Sequence, residues 1–364
     1  MKAFLSKIPK QTVSDFITYA IVIIAFAIIE PLRALGVLSS SFSGQLIPIC
    51  TYIVMAVSLN LTVGILGELS LGHAGFVSLG AFSGVIAVIS LSNVVESTIW
   101  RMVIAVIIGG IIAGIAGFLI GIPVLKLRGD YLAIVTLAFG EIIKNIMNCL
   151  YIGVDSNGLH FSMTDAASLN MDNGKVIVNG PMGAVGVPKI STFTAGFILV
   201  MITLVIVLNL KRSRTGRAIM SLRDNRIAAE SVGINITKYK LIAFITSAVL
   251  AGMSGVIYAM NFSTIAAKKF DFNMSILILV FVVLGGMGNI RGSIIATTIL
   301  YALPEILRDY ADYRMLIYAV ILILVMLFTN SESAIGLRER VKLSIKSSIE
   351  KIKSGKKAGG SGNE

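Results

Sequence analysis

The chain has 364 residues, 56% of them hydrophobic and 14% charged, with a mean hydropathy of +0.89 and a formal net charge of +12. So few charges, with apolar runs of about 20 residues recurring along the chain, exclude a soluble globular domain and mark a helical membrane protein rather than a barrel of short alternating strands. The positive charge gathers at the ends of apolar runs and in the C-terminal tail without interleaved aromatics, a pattern of topology and anionic lipid rather than of nucleic acid.

In chain order, residues 1–16 read as a cytoplasmic N-terminal segment carrying Lys2, Lys7 and Lys10. An apolar run from Ile17 to Ile29 follows it. No small-residue cleavage site succeeds that run, only Glu30-Pro31, so a short first membrane helix is a better reading than a signal peptide. The segments that read as membrane helices are 17–36, 46–66, 69–91, 102–125, 131–152, 193–210, 241–260, 274–288, 293–307 and 314–329. The expected fold is therefore an all-α integral membrane protein: a compact bundle of about ten transmembrane helices, some short or broken, occupying 17–329. Broken helices survive in a bilayer only where protein or a water-filled cavity satisfies their backbone.

With both termini cytoplasmic, most basic residues fall inside: the N-terminal lysines, Lys126 and Arg128, the cluster from Lys211 to Lys240, Arg291, and the tail residues Arg338 to Lys357. The outside receives Arg33, Arg101, Lys175, Lys189, Lys268, Lys269, Arg308 and Arg314. That bias satisfies the positive-inside rule. Residues 153–192 form the longest external loop, with a small hairpin expected around Asn173-Gly174. Residues 330–364 form a basic cytoplasmic tail, partly disordered by its Gly, Lys and Ser content. Cys50 and Cys149 lack metal-ligand spacing; buried thiols and a disulfide both stay open.

Small residues recur at four-residue spacing in two spans, at Gly110, Gly114, Gly117 and Gly121 with Ala113, and at Ser247, Ala251, Gly255 and Ala259. Such seams let backbones approach closely, here within one chain rather than across a dimer.

Four polar stretches carry the candidate functional residues. The run "SLNLTVGILGELSLGHAGFVSLGAF", residues 58–82, places Asn60, Ser70 and His73 within apolar sequence, with Glu68 at an inner turn where water can reach it. Polar groups at such depth are costly unless they face protein or a path, so these residues either line and brace the inner translocation route or hydrogen-bond to a neighbouring helix. Glu141 and Lys144 share one helix face, as a mutually neutralising pair or a gate-side one. "GGMGNIRGS", residues 285–293, reads as an inner helix–helix turn. Two scattered histidines do not make a metal site.

The fourth stretch is the cytoplasmic loop 211–240. Asp224 suits a helix N-cap and Gly233 a left-handed C-terminal stop, with Ile227, Ala228, Ala229 and Val232 apolar between them. A helix that short needs a surface to hold it, either its own bundle or a cytoplasmic partner.

Residues 217–259, "RAIMSLRDNRIAAESVGINITKYKLIAFITSAVLAGMSGVIYA", together with "SLNLTVGILGELSLGHAGFVSLGAF", "LKLRGDYLAIVTLAFGEIIKNI" and "VLGGMGNIRGSIIATTILYALPEIL", resemble the M-type permeases of branched-chain amino acid ABC importers, in the family's order over about 46–330. The sequence departs from the family's usual pattern at Glu68 and in the external loop. The resemblance implies a half-channel in the bacterial or archaeal inner membrane that moves branched-chain or similar hydrophobic amino acids inward by alternating access. It also implies a second homologous permease, two cytoplasmic ATPases and an external substrate-binding protein. ATP and magnesium would sit on the partner subunits and no cofactor on this chain, which has no G-x-x-x-x-G-K-[ST] phosphate loop. The ATPase-coupling element would fall on Arg223, Asp224, Asn225, Ala228, Ala229, Glu230 and Gly233. Ala229→Glu or Gly233→Pro is then expected to abolish transport with folding intact. The same machine carrying urea, short amides or another small solute is the alternative, ahead of an ion-coupled secondary transporter. Nothing in the chain offers an enzyme's nucleophile or clustered carboxylates.

Overall fold

All ten apolar segments form helix in the computed structural model, which describes residues 10–330 apart from 128, 156–157, 172–173 and 311–312. In chain order the helices are α1 (Lys10–Ala34), α2 (Ser40–Asn60), α3 (His73–Ser90), α4 (Thr98–Val124), α5 (Asp130–Cys149), α6 (Phe193–Arg212), α7 (Arg214–Asp224), α8 (Arg226–Ser231), α9 (Ile236–Ala259), α10 (Phe272–Gly285), α11 (Ile290–Ile306) and α12 (Arg314–Asn330). Among the described residues seven are long and apolar enough to cross a membrane: α1, α2 with its extension to Leu66, α3, α4, α5, α6 and α9. The last three apolar segments form the shortest of the ten apolar helices among the described residues, with 14 residues in α10 and 17 each in α11 and α12, against about 20 for a typical span. The basic tail expected at 330–364 lies outside the described residues, except for Asn330 at the end of α12.

The unit up to Ala302 is layered around α2, whose residues from Leu46 to Leu66 are all buried. Helices α6, α9 and α10 pack beside it and α3 packs on α9 and α4, while α4, α5 and α6 turn isoleucine- and leucine-rich faces outward, among them Ile107, Ile111, Ile115, Ile134 and Ile198. An apolar surface of that extent belongs in lipid. The small-residue seams do pack within the chain. Gly252 of α9 lies against Ala113 and the Gly109 carbonyl of α4, and Gly80 of α3 lies against the Gly252 backbone, so a β-carbon at either glycine would meet backbone or Ala113. The three helices touch through main chain. In lipid, that close contact is what draws helices together. The unit from Leu303 onward holds the end of α11, a 3₁₀ turn (Leu307–Tyr310) and α12, with Arg308 paired to Glu305 at 3.3 Å.

The loop between α5 and α6 folds further than expected. Strands β1 (Tyr151–Asp155), β2 (Gly158–Ser162), β3 (Lys175–Asn179) and β4 (Ala184–Val185) are joined by β5 (Thr264–Ile265) from the α9–α10 connection, in an antiparallel sheet of order β2-β1-β3-β4-β5. The hairpin expected around Asn173-Gly174 falls partly outside the described residues, at 172–173. Sequence neighbours pair in β1–β2, β3–β4 and β4–β5, whereas β3 returns to the other edge of β1. Ile152, Ile177, Val178 and Ile265 join the helical core, and their burial fixes the register. Both described cysteines are free, Cys50 buried and Cys149 exposed.

Candidate functional site

A helix leaves its last carbonyls without partners, and α2 ends in the middle of the protein. Its last turn widens into a π-helical segment, Leu61–Leu66, closed by Gly67 at φ +82°. The amides of Gly67 and Glu68 both return to the Thr62 carbonyl, the latter at 3.1 Å. The orphan Gly64 carbonyl is taken by Arg223, whose Nη1 donates to it at 2.9 Å. The Arg223 stem lies over Gly67, where a β-carbon would collide with it.

Glu68 is not the solvated turn residue expected from its position. Its carboxylate pairs with the Lys240 ammonium of α9, and the two side chains are 18% and 3% exposed. Lys240 was invisible as a partner because 172 residues separate the two. A lysine at the start of a span reads simply as a topology signal.

Asn60 is fully buried and spent on both hydrogen-bonding groups. Its Oδ1 accepts from the Gly288 amide at 2.7 Å, and its Nδ2 donates to Ser293 Oγ at 2.8 Å. Lys211 Nζ donates to the carbonyl of the same Gly288 at 3.0 Å. The glycine turn between α10 and α11, with Gly286 and Gly288 at positive φ, is thus held on both its donor and its acceptor side. Gly64 has no space for a β-carbon, because the Asn60 amide and the Gly288 backbone fill it.

Residues 67–72 form no helix, and α3 begins at His73 rather than at 69 as expected. Gly67 and Leu69 are exposed here, but Ser70 and Gly72 are buried, and amides in the buried part of a break must find partners. Leu71 donates to Thr136 Oγ1 of α5 at 3.1 Å and Ala74 to Ser275 Oγ of α10 at 3.0 Å. Ser70 is buried in this break. His73 Nε2 lies 2.9 Å from Ser58 Oγ, whose hydroxyl donates to the Met55 carbonyl at 2.8 Å. The Ser58 carbonyl accepts in turn from Ser247 Oγ of α9 at 2.7 Å. Asn60 and His73 thus both brace neighbouring helices. Glu141 and Lys144 pair with each other along α5, with Glu141 beside Leu71, Ala74 and Asp271.

The segment after α6 is built from local caps. Ser213 caps α7 by accepting from the Gly216 amide at 3.0 Å. The cap of α8 is Asn225, whose Oδ1 accepts from Ala228 N at 3.0 Å. Asp224, expected in that role, ends α7 and pairs with Arg223 at 3.1 Å, because Asn225 takes the extended geometry the cap requires. Gly233 stands at φ +85°, as its sequence position implied. Ala229 is buried against Leu222 and Ile236, whereas Ile227 and Val232 are 79% and 76% exposed. Ala228 and Glu230 share the exposed side. Ala229→Glu would thus force a charge into a small core, and Gly233→Pro would demand a φ that proline cannot adopt. Neither is the clean surface probe that the sequence suggested.

The family described as branched-chain amino acid transport system / permease component matches residues 41–328. The high-affinity branched-chain amino acid transport system permease protein LivM of Salmonella typhimurium is 34% identical over 288 residues, which cover 76% of this chain and 66% of that protein. The LivM protein of Escherichia coli is 34% identical over 291 residues with the same coverage. The chain thus spans just under two thirds of the length of these relatives. The fructose import permease protein FruG of Bifidobacterium longum is 22% identical over 314 residues, 83% of this chain and 85% of its own. No solved structure matches the chain.

Proposed function

The chain belongs to the family of branched-chain amino acid transport system permease components, and from that premise we propose that it is one permease subunit of an ATP-driven importer for branched-chain or similar hydrophobic amino acids. It pairs with a second homologous permease in the inner membrane, with both termini and the segment 211–240 facing the cytoplasm. Two cytoplasmic ATPases supply the work, and an external binding protein delivers the solute. The two short helices α10 and α11, with their glycine turn, complete the path rather than cross the membrane as independent spans.

The observation that carries this reading is the asymmetry of α8. Ala229 anchors the helix to the body of the protein, while Ile227 and Val232 project from it. A six-residue helix with one large apolar side chain exposed on it and a second at its C-cap calls for a surface that covers them. Nearby Arg223 and Arg226 add a basic rim suited to a protein partner.

The test is uptake of labelled leucine by cells or vesicles holding the whole importer, with Ile227→Glu and Val232→Glu compared with the parent at matched membrane content. Loss of leucine uptake together with loss of ATPase co-purification is expected. Full uptake by both variants would remove α8 as the docking element. ATP-dependent uptake of urea in place of leucine would keep the machine and change the cargo.

A further inference from the structure

We propose that Lys211, Arg223 and Lys240 are positioning residues that fasten the segment 211–240 to the inner end of α2 and to the Gly286–Asn289 turn. A displacement of α8 is thereby delivered to the π-helical end of α2, to the chain break at 67–72 and to that turn together. Such a grip matters only in the ATP-driven importer proposed above.

The three cations come from three separate places: the end of α6, the end of α7 and the first turns of α9. Each reaches a backbone or carboxylate group on a chain break distant in sequence. Arg223 reaches Gly64 across 159 residues, Lys240 reaches Glu68 across 172, and Lys211 reaches Gly288 across 77. A helix end needs no such help from afar. A local glycine motif or water satisfies its carbonyls, as Gly233 does for α8. At α2 the local cap goes to the Thr62 carbonyl, and the Gly64 carbonyl takes its donor from the coupling segment. The negative end of the helix dipole favours a cation there, so the contact resists being pulled apart.

Asn60 makes the two targets into one. It is the residue nearest the π-helical segment that bonds to the glycine turn, and it uses both ends of its amide to do so, with Gly288 and Ser293. Gly64 and Gly288 lie in direct backbone contact beneath it. The inner end of α2 therefore cannot move without the turn. A π-helical turn bonds i to i+5 rather than i to i+4, and such turns are found frequently at functional sites. A shift at Gly64 passes directly into residues 67–72, and through His73 and Ser58 to the start of α3. The glycine turn and the break at 67–72 are then the moving parts of the inner gate, and the three cations are the handle.

The test uses the complete importer in liposomes, with leucine uptake and ATP hydrolysis measured on the same preparations and the thermal midpoint measured on the purified complex. Lys211→Met and Ser293→Ala are compared with the parent, and Arg223→Gln with Arg223→Lys. Leucine taken up per ATP hydrolysed is expected to fall about tenfold in Lys211→Met and Arg223→Gln, the loss of a charge-assisted hydrogen bond. Arg223→Lys keeps a cation over Gly64 and is expected to recover most of the ratio, and Ser293→Ala to fall between. If uptake and hydrolysis decline in parallel with the thermal midpoint, these residues are structural staples and the proposal fails. An unchanged ratio in all variants overturns it as well. A parent complex without ATP-dependent uptake would instead overturn the importer reading itself, so the two failures are distinct.

Discussion

Replacing Glu68 by glutamine should destabilise this protein far more than replacing its partner Lys240 by methionine. The Lys240 side chain is 3% exposed and the Glu68 side chain 18% exposed, so the two changes strand different charges. Without the carboxylate, an ammonium remains in a site that excludes water. Breaking a buried pair from one side in this way costs about 3–5 kcal/mol. Without the lysine, the carboxylate sits at the rim of the break and can hydrate or take up a proton, so the cost should be roughly 1–2 kcal/mol. Combining Glu68→Gln with Lys240→Met removes the charges together, and an apolar stem fills the space of the lysine. That double variant should lie within about 1 kcal/mol of the parent, because the desolvation penalty disappears with the attraction.

The assay is thermal unfolding of the detergent-solubilised chain by circular dichroism, for the parent, both single variants and the double. At roughly 2–4 °C per kcal/mol, Glu68→Gln should lower the midpoint by about 6–20 °C. The coupling between the two sites should be at least about 2 kcal/mol. Equal small effects from the single variants, adding in the double, would refute the reasoning. They would mean that both charges are solvated and that Glu68 is the exposed turn residue its sequence position suggests.

Gly252→Leu should separate α9 from α4, because its side chain has only Ala113 and the Gly109 carbonyl before it; a loss of more than about 3 kcal/mol is expected, seen as loss of folded protein in membranes, and normal expression would place the seam elsewhere. Maleimide should label the native protein in detergent once, at Cys149, and twice only after denaturation; mass spectrometry that finds a disulfide, or Cys50 labelled under native conditions, would contradict the free, buried thiol seen here.

Hydropathy made the helices legible because it is a local quantity. Ten apolar segments are ten helices, and the glycine and alanine spacing of α4 and α9 announced their contact. Gly233 was legible for the same reason, since a left-handed stop is a property of one residue and its neighbours. Length within the apolar run was less reliable. The sequence 274–288 looks like a span, yet α10 stops at Gly285 because Gly286 and Gly288 take conformations that no helix accommodates. The sheet was only partly visible, since β5 comes from the far side of α9 and two-residue strands leave no alternation to read. Long-range polar partners were hidden altogether. Nothing near Glu68 points to Lys240, and nothing near Asn60 points to Gly288 or Ser293. The choice of cap between Asp224 and its neighbour Asn225 was lost by one residue, as either side chain can accept the bond and only backbone geometry decides.

The polar residues in residues 58–82 follow from one requirement. A chain that breaks its helix inside protein exposes amides and carbonyls that water would otherwise satisfy. Here the break lies between Leu66 and His73, and the polar side chains around it answer to named backbone groups: Arg223 to Gly64, Thr136 to Leu71, Ser275 to Ala74, Asn60 to Gly288. His73 stands at the first position of the new helix and ties it to Ser58. An uninterrupted helix at this place would need none of them. It would also be rigid, since every carbonyl would already be bonded within its own segment. By ending α2 early and lending the partners from α5, α7, α10 and the glycine turn, the chain makes the conformation of the break depend on where those elements stand. That dependence is what a gate requires. The acid, the amide and the imidazole tie the break and its flanks to neighbouring elements: Glu68 to Lys240 of α9, Asn60 to the glycine turn, and His73 back to α2.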